Sequence, residues 1–90
     1  MERSREIKKR IIHRLKIAKG HLQKVLSMVE NDDYCIDVLH QSQAVQRALS
    51  ETDQVVLENH LMTCVADNIK KGKEKKVIQE VMAVFRKKPL

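Results

Sequence analysis

Two cysteines and one histidine are the residues of this chain that could hold a soft metal ion. Cys35 lies in the stretch NDDYCIDV, and His60 and Cys64 lie four residues apart in VLENHLMTCVA. Positions i and i+4 project from the same face of an α-helix, so His60 and Cys64 could bind one ion together. Two thiolates with one imidazole form a soft set of three ligands. Such a set favours Cu(I) as the cofactor, because zinc usually requires a fourth ligand.

Less specific roles for these residues stay open at this point. A free cysteine is often a small buried hydrophobe, and a single helical histidine is more often structural or solvated than a ligand. Thiol chemistry is another possibility, with Cys35 and Cys64 joined through a disulfide or persulfide bridge. An enzyme is not expected. A cysteine–histidine pair can act as nucleophile and base, but nothing in the sequence suggests an oxyanion hole or a substrate pocket.

Helices must position these residues, because helix breakers are rare. The chain has two glycines and one proline, with abundant Leu, Val, Ile, Lys, Glu and Gln, and no strand pattern competes. We predict an all-α fold with helices over residues 4–30, 34–71 and 74–87. Asn31-Asp32-Asp33 marks the first turn and suits the cap of the second helix, and Gly72 suits the end of that helix. The protomer is thus expected to have three helices, with a very long one in the centre.

The length of the second helix determines where a metal site could form. At 1.5 Å per residue, Cys35 and His60 would lie about 37 Å apart along the axis, too far to share an ion within one chain. Two copies with antiparallel long helices, related by a two-fold axis near Ala48 and Leu49, would bring Cys35 of one chain beside His60 and Cys64 of the other. Symmetry then gives two equivalent sites per dimer. The remaining apolar surface of the long helix also requires another chain.

Charge is segregated along the chain. Residues 1–30 carry nine bases and three acids, residues 31–69 one base and seven acids, and residues 70–90 eight bases and two acids, giving +6, −6 and +6. Two basic ends around an acidic centre favour a polyanion partner over mere solubility. The only aromatic residues are Tyr34 and Phe85, so stacking on single strands is not expected and double-stranded DNA is favoured.

Size and cysteine content limit the broad class. Ninety residues make one domain at most, so residues 1–90 are expected to form a single all-helical domain. Two cysteines are too few for a disulfide-stapled secreted scaffold. The N-terminal MERSREIKKR lacks the apolar core of a signal peptide, and no run of residues is long enough to span a membrane. We therefore expect a cytoplasmic protein with reduced thiols and no membrane partner.

Three stretches of the chain resemble the CsoR/RcnR family of bacterial transcriptional repressors, in its copper-sensing branch. HRLKIAKGHL resembles the first helix of that family, YCIDVLHQSQAVQRAL the start of its second helix, and LENHLMTCV its His-x-x-x-Cys segment. The ligand pattern of the family falls on Cys35, His60 and Cys64. The resemblance implies an antiparallel helical dimer, paired further into a homotetramer. It also implies a repressor that binds operator DNA without metal and releases it when Cu(I) binds.

The resemblance carries further residues with it. A tyrosine and a glutamate beside the histidine ligand would fall on Tyr34 and Glu80, whose simpler roles are a partly buried aromatic and a solvated acid. No helix-turn-helix signature is visible, so DNA binding would use basic helix faces against phosphate. The residues expected on these faces are Arg14, Lys16, Lys19 and Arg47.

Departures from related branches narrow the function. Nickel- and cobalt-sensing members use an additional N-terminal histidine, but Arg3 occupies the corresponding position, and the other histidines (His13, His21, His40) are more consistent with a surface location. Formaldehyde-sensing relatives lack the second cysteine and persulfide-sensing relatives lack the histidine, whereas this chain has both. The alternatives that remain are a thiol- or persulfide-responsive repressor using both cysteines, and a metal-binding helical module that does not bind DNA.

Overall fold

A computed structural model describes residues 4–87, which form helices joined by tight turns. The elements are α1 (Arg5–Glu30), α2 (Cys35–His60), a π-helical turn (Leu61–Val65), α3 (Ala66–Lys70) and α4 (Glu74–Arg86). The backbone stays helical from α2 through the π-helical turn into α3. The prediction of an all-α protomer with one very long central helical segment is therefore confirmed. Residues 4–87 contain no strand.

Both ends of α1 are determined by local hydrogen bonds. The Ser4 hydroxyl accepts a hydrogen bond from the Ile7 N–H at 3.2 Å, which is the usual role of an N-cap serine. At the other end Asp32 adopts φ 56°, a conformation that aspartate tolerates better than most residues. This lets the Asp33 N–H reach the Met28 carbonyl at 2.9 Å, as in a Schellman motif. The Asn31–Asp33 turn therefore closes α1, and Tyr34 occupies the position before α2.

A second Schellman motif ends α3. Gly72 has φ 74°, a conformation that strains any residue with a Cβ atom. The Gly72 N–H donates to the Ile69 carbonyl at 3.1 Å, and the Lys73 N–H donates to the Asn68 carbonyl at 2.8 Å. The predicted glycine stop at this position is confirmed, and the chain reverses here before α4 begins.

Residues 4–57 form one compact unit, and residues 58–87 form another. In the first unit α1 and α2 run antiparallel, joined by an ion pair between Arg14 and Glu51 with N and O 3.5 Å apart. Toward its open end a groove of about 250 Å³ lies between the two helices, lined by Lys8, Ile11, Ile12 and Val56. The buried residues of this unit are Ala18, Thr52 and Val55.

Large apolar side chains remain exposed along both helices of the first unit. Leu22, Val29 and Leu39 are each 57% exposed. Exposed apolar patches of this extent commonly mark interaction surfaces. The other exposed members of the set are Ile12, Leu15, Ile17 and Leu26 on α1, and Ile36 and Leu49 on α2.

The second unit consists of the π-helical turn, α3 and α4, with Val65 and Val77 buried. Asp67 and Lys71 form an ion pair at 3.0 Å, and each side chain is 61% exposed. An exposed pair at this spacing stabilises a helix by only about 0.3–0.5 kcal/mol, so the glycine turn and the buried valines determine this corner. None of the helices between residues 4 and 87 combines the length and hydrophobicity that crossing a bilayer requires.

Candidate metal centre

The structure places the three candidate ligands at the two ends of α2 and just beyond it. Cys35 is the first residue of α2 and is exposed, whereas His60 is its last residue and is half-buried. Cys64 is half-buried in the π-helical turn, and both cysteines are free thiols. Among residues 4–87, no three side chains of the types that bind metals come together.

The backbone between His60 and Cys64 differs from the expected regular helix. Residues Leu61–Val65 form a π-helical turn, in which hydrogen bonds span five residues rather than four. The expectation that His60 and Cys64 project from one regular α-helical face is thus corrected, because a wider turn separates them. π-Helical turns are rare and frequently lie at functional sites. One candidate donor, His60, therefore precedes the most irregular turn of the described helices, and the other, Cys64, lies within it.

One side chain supports this irregular turn and a second is left unsatisfied beside it, and sequence reasoning missed both. The Thr63 hydroxyl donates to the Asn59 carbonyl at 2.7 Å, so a side chain takes part in the main-chain hydrogen-bond ladder where the turn widens. A threonine four residues after its acceptor is the signal that could have suggested this. The Asn59 Nδ2 atom is buried and has no hydrogen-bond partner within residues 4–87, an arrangement that destabilises by about 1–3 kcal/mol.

Tyr34 and Glu80, the residues expected beside the histidine ligand, are both exposed. Tyr34 is 68% exposed, so it is not a core aromatic of the single chain. Glu80 lines a pocket of about 90 Å³ together with Lys73 and Lys76 from the start of α4, and with Asn68 and Val77. Glu80 therefore shares its surroundings with two lysines.

Three of the four residues expected to bind DNA are exposed, namely Lys16, Lys19 and Arg47. Arg14 differs, because its side chain is 32% exposed and forms the ion pair with Glu51 of α2. Arg14 therefore lies toward α2 rather than on a fully exposed basic face of α1. Arg14 follows Ile11 by three residues and precedes Ala18 by four, and residues at these spacings share one helix face.

The remaining histidines lie outside any cluster of candidate ligands. His13 and His40 are exposed and His21 is half-buried. None of them joins a group of three potential metal ligands among the described residues. His13 and His40 therefore have the surface location expected of them, whereas His21 is only partly exposed.

Known proteins resemble this chain over most of its length. The family model described as metal-sensitive transcriptional repressor matches residues 7–87. The copper-sensing transcriptional repressor CsoR of Bacillus subtilis (strain 168) is 42% identical over 94% of this chain and 84% of that protein. The repressor of the same name from Mycobacterium ulcerans (strain Agy99) is 38% identical over 91% of this chain and 70% of that protein.

The fold also matches a solved structure. The crystal structure of the copper-sensing repressor CsoR with Cu(I) from Geobacillus thermodenitrificans NG80-2 superimposes with a TM-score of 0.87. That chain is 37% identical in sequence, and the match covers 96% of this chain and 90% of that one. The resemblance drawn from the sequence motifs is confirmed.

Proposed function

The chain belongs to the family of metal-sensitive transcriptional repressors, and on this basis we propose that it is a Cu(I)-responsive repressor of operator DNA. It binds the operator without metal and releases it when Cu(I) binds. The observation that carries this proposal is the soft donor set. Cys35, His60 and Cys64 stand in a chain that is 42% identical to a copper-sensing repressor. The family is one of repressors, and no enzymatic activity is proposed.

The metal site we propose lies between two subunits. Cys35 of one chain joins His60 and Cys64 of the partner subunit. This arrangement is proposed because no group of three potential metal ligands forms within residues 4–87 of one chain. The exposure of Cys35 leaves its thiol accessible to a second chain. The exposed apolar side chains of α1 and α2 supply the surface for a homodimer and for its pairing into a homotetramer.

The donor chemistry fits Cu(I) and determines what the residues must do. Both cysteines are free thiols, which lose their protons to become ligands, and the histidine binds in its neutral form. When bound, Cu(I) supplies a soft centre that holds thiolates from two chains together. Tyr34 or Glu80 would then orient the His60 ring by accepting a hydrogen bond from the N–H of its second nitrogen. For Glu80 this requires moving away from the lysines that share its pocket.

Operator DNA is the partner that the basic surface fits. Lys16, Lys19 and Arg47 are exposed, and the chain carries a net charge of +6, as expected for contacts with phosphate. A partner of this kind is consistent with the cytoplasmic location that we propose for the protein. By reciprocity, Cu(I) lowers the affinity for DNA by the same factor by which DNA lowers the affinity for Cu(I).

An anaerobic metal titration tests this function. The operator is first selected by the unmutated protein from fragmented genomic DNA, and Cu(I), Zn(II) and Ni(II) are then titrated into the complex. We expect Cu(I) to release the duplex at one equivalent per protomer, whereas Zn(II) and Ni(II) release it only weakly. DNA that stays bound at saturating Cu(I), or that Ni(II) releases equally well, would contradict the proposal.

A thiol-responsive repressor is the second candidate, favoured by the exposed thiol of Cys35 and the free thiol of Cys64. Such a switch would respond to a persulfide donor or to oxidation under conditions that exclude copper, and it would not need His60. Release of DNA by these reagents in a His60→Ala variant, without release by Cu(I) in the unmutated protein, would favour this candidate. A metal-binding module without DNA affinity would give no salt-dependent mobility shift on any duplex.

A further inference from the structure

The outward surface of α1 carries a stripe that contains three lysines and no acidic residue, called here the basic stripe. It consists of Lys9, His13, Lys16, Gly20 and Lys24, whose spacings of four, three, four and four place them along one helix face. All five residues are exposed. The helix contains eight Lys or Arg residues, and its only acids are Glu6 and Glu30, near the two ends. The middle of the stripe is therefore free of negative charge.

Gly20 stands in the middle of this stripe, and the chain itself gives no reason for a glycine there. A Cβ atom built at Gly20 would meet nothing within 4 Å, and its φ lies outside the left-handed range. Glycine is less favourable in a helix interior than every other residue except proline. Gly72 is the opposite case, since its φ of 74° requires a glycine. A helical glycine without an internal role is typical of a place where something outside approaches the backbone closely.

We infer that the basic stripe is a docking surface for the sugar–phosphate backbone of duplex DNA, with Gly20 as the point of closest approach. This inference rests on the proposed function, and it extends the DNA-contacting residues to Lys9, Gly20 and Lys24. The stripe runs about 22 Å from Lys9 to Lys24 at 1.5 Å per residue. A phosphate over Gly20 lies between Lys16 and Lys24, each one helical turn away.

Charge complementarity identifies the occupant. A second copy that paired through this same stripe would bring like charges together, which opposes association. The exposed apolar side chains Leu15, Leu22 and Leu26 lie on a different face of α1 and suit a protein partner better. A polyanion is attracted to Lys9, Lys16 and Lys24, and the missing side chain of Gly20 lets the phosphate sit closer to the charges around it.

Paired substitutions distinguish the effect of close approach at Gly20 from the effect of the lysine charges. Gly20→Ala adds one methyl group without changing charge, and Gly20→Leu adds more bulk. Lys9→Ala and Lys24→Ala each remove one charge. Ser27→Ala is the matched control, because it raises helix propensity near the end of the same face without adding a Cβ atom. Each variant is measured for operator affinity across a salt series, for thermal unfolding, for oligomeric state by analytical ultracentrifugation and for Cu(I) affinity.

The expected pattern is specific. Each lysine variant should lower the log–log salt slope by about 0.9, which corresponds to roughly eightfold weaker binding at 0.1 M salt. Gly20→Ala should unfold a few degrees higher than the unmutated protein and yet bind the operator several-fold more weakly, and Gly20→Leu should bind more weakly still. Oligomeric state and Cu(I) affinity should not change. Ser27→Ala should bind the operator normally.

The outcomes distinguish the inference from the function on which it rests. If the unmutated protein binds the operator and Gly20→Ala binds it equally well, the inference is wrong and the repressor function stands. A change of oligomeric state in Gly20→Ala would assign the stripe to a subunit interface, which also overturns the inference. If the unmutated protein binds no duplex DNA in any metal state, the proposed function fails and the inference fails with it.

Discussion

Helix α1 and the segment from Asn59 to Val65 are both helical, but they are built differently. α1 is a regular helix of 26 residues, closed by Ser4 at its start and by the left-handed Asp32 just beyond its end. The second segment contains a π-helical turn, with the Thr63 hydroxyl bonded to a main-chain carbonyl. The proposed DNA contacts lie mainly on the regular helix, whereas two proposed metal ligands lie just before the irregular turn and within it.

This difference suggests how metal binding and DNA binding can be altered independently, and which residues couple them. A regular helix presents a fixed row of charges, so substitutions on α1 should change DNA affinity without changing the metal site. A widened turn is held by a few hydrogen bonds, so its shape can respond to what its donors bind. The coupling between metal and DNA should therefore depend on residues near His60 more than on residues of α1.

The largest expected effect is the loss of a thiolate ligand. Cys35→Ala or Cys64→Ala should weaken Cu(I) binding by more than about 100-fold, because losing even a residue that only orients a metal ligand costs 10–100-fold. DNA binding without metal should stay normal in both variants, since neither cysteine lies on α1. Competition with a Cu(I) chelator under anaerobic conditions measures the affinity.

Mixing these two variants tests whether the site lies between subunits. A mixed dimer should regain one intact site, formed by Cys35 of the Cys64→Ala chain with His60 and Cys64 of the Cys35→Ala chain. Homodimers of either variant serve as the control and should have no intact site. If subunit exchange is demonstrated and no high-affinity site returns, the antiparallel arrangement is wrong.

The next effect in size concerns the link between metal and DNA. The thiolates supply most of the affinity for a soft ion, whereas His60 is expected to connect the ion to Tyr34 or Glu80. His60→Ala should therefore lose more coupling than copper affinity, out of a total coupling of about 1–3 kcal/mol. Glu80→Gln should bind copper nearly normally and release DNA less completely.

Operator affinity with and without saturating Cu(I) measures this coupling. Lys76→Gln is a useful companion to Glu80→Gln, because Lys76 lines the same pocket and its loss should make the carboxylate easier to redirect. If copper-loaded His60→Ala leaves DNA as completely as the unmutated protein, the link through His60 is absent and the thiolates alone drive release.

The sequence predicted the regular parts of the fold better than the irregular ones. The end of the central helical segment at Gly72 could be predicted, because it depends on the backbone freedom of glycine, which acts in any chain. The soft character of the site follows from the types of Cys35, His60 and Cys64. The π-helical turn could not be predicted, because it depends on a competition between hydrogen-bond patterns of nearly equal energy. The same holds for Arg14, whose partner Glu51 lies on another helix and is invisible to a helical periodicity.

A smaller effect should follow from removing one hydroxyl in the irregular turn. Thr63→Val keeps the shape of the side chain but removes its hydrogen bond to the Asn59 carbonyl, which is worth about 0.5–1.5 kcal/mol. We expect a modest loss of thermal stability together with a several-fold change in Cu(I) affinity, because the turn that separates His60 and Cys64 relaxes. Calorimetric unfolding and chelator competition measure the two quantities.

Thr52→Val is the matched control for this prediction. The Thr52 hydroxyl also donates to a carbonyl four residues earlier, that of Ala48, at 2.9 Å, but it does so within regular α2. Its substitution should alter stability and leave Cu(I) affinity unchanged. If both variants change copper affinity equally, the π-helical turn has no special part in the metal site.

The smallest expected effect distinguishes Arg14 from its exposed neighbours. Lys19→Ala should flatten the salt dependence of operator binding by about 0.9 in log–log slope, as for one lost phosphate contact. Arg14→Ala should flatten it less, because Glu51 already offsets part of the arginine charge at 3.5 Å. It should also destabilise the chain by at most about 1 kcal/mol, since both partners are partly exposed and solvent screens the pair. Glu51→Gln should then release Arg14 and strengthen DNA binding slightly. If the salt slope of Arg14→Ala falls as far as that of Lys19→Ala, the arginine contacts phosphate despite its ion pair with Glu51.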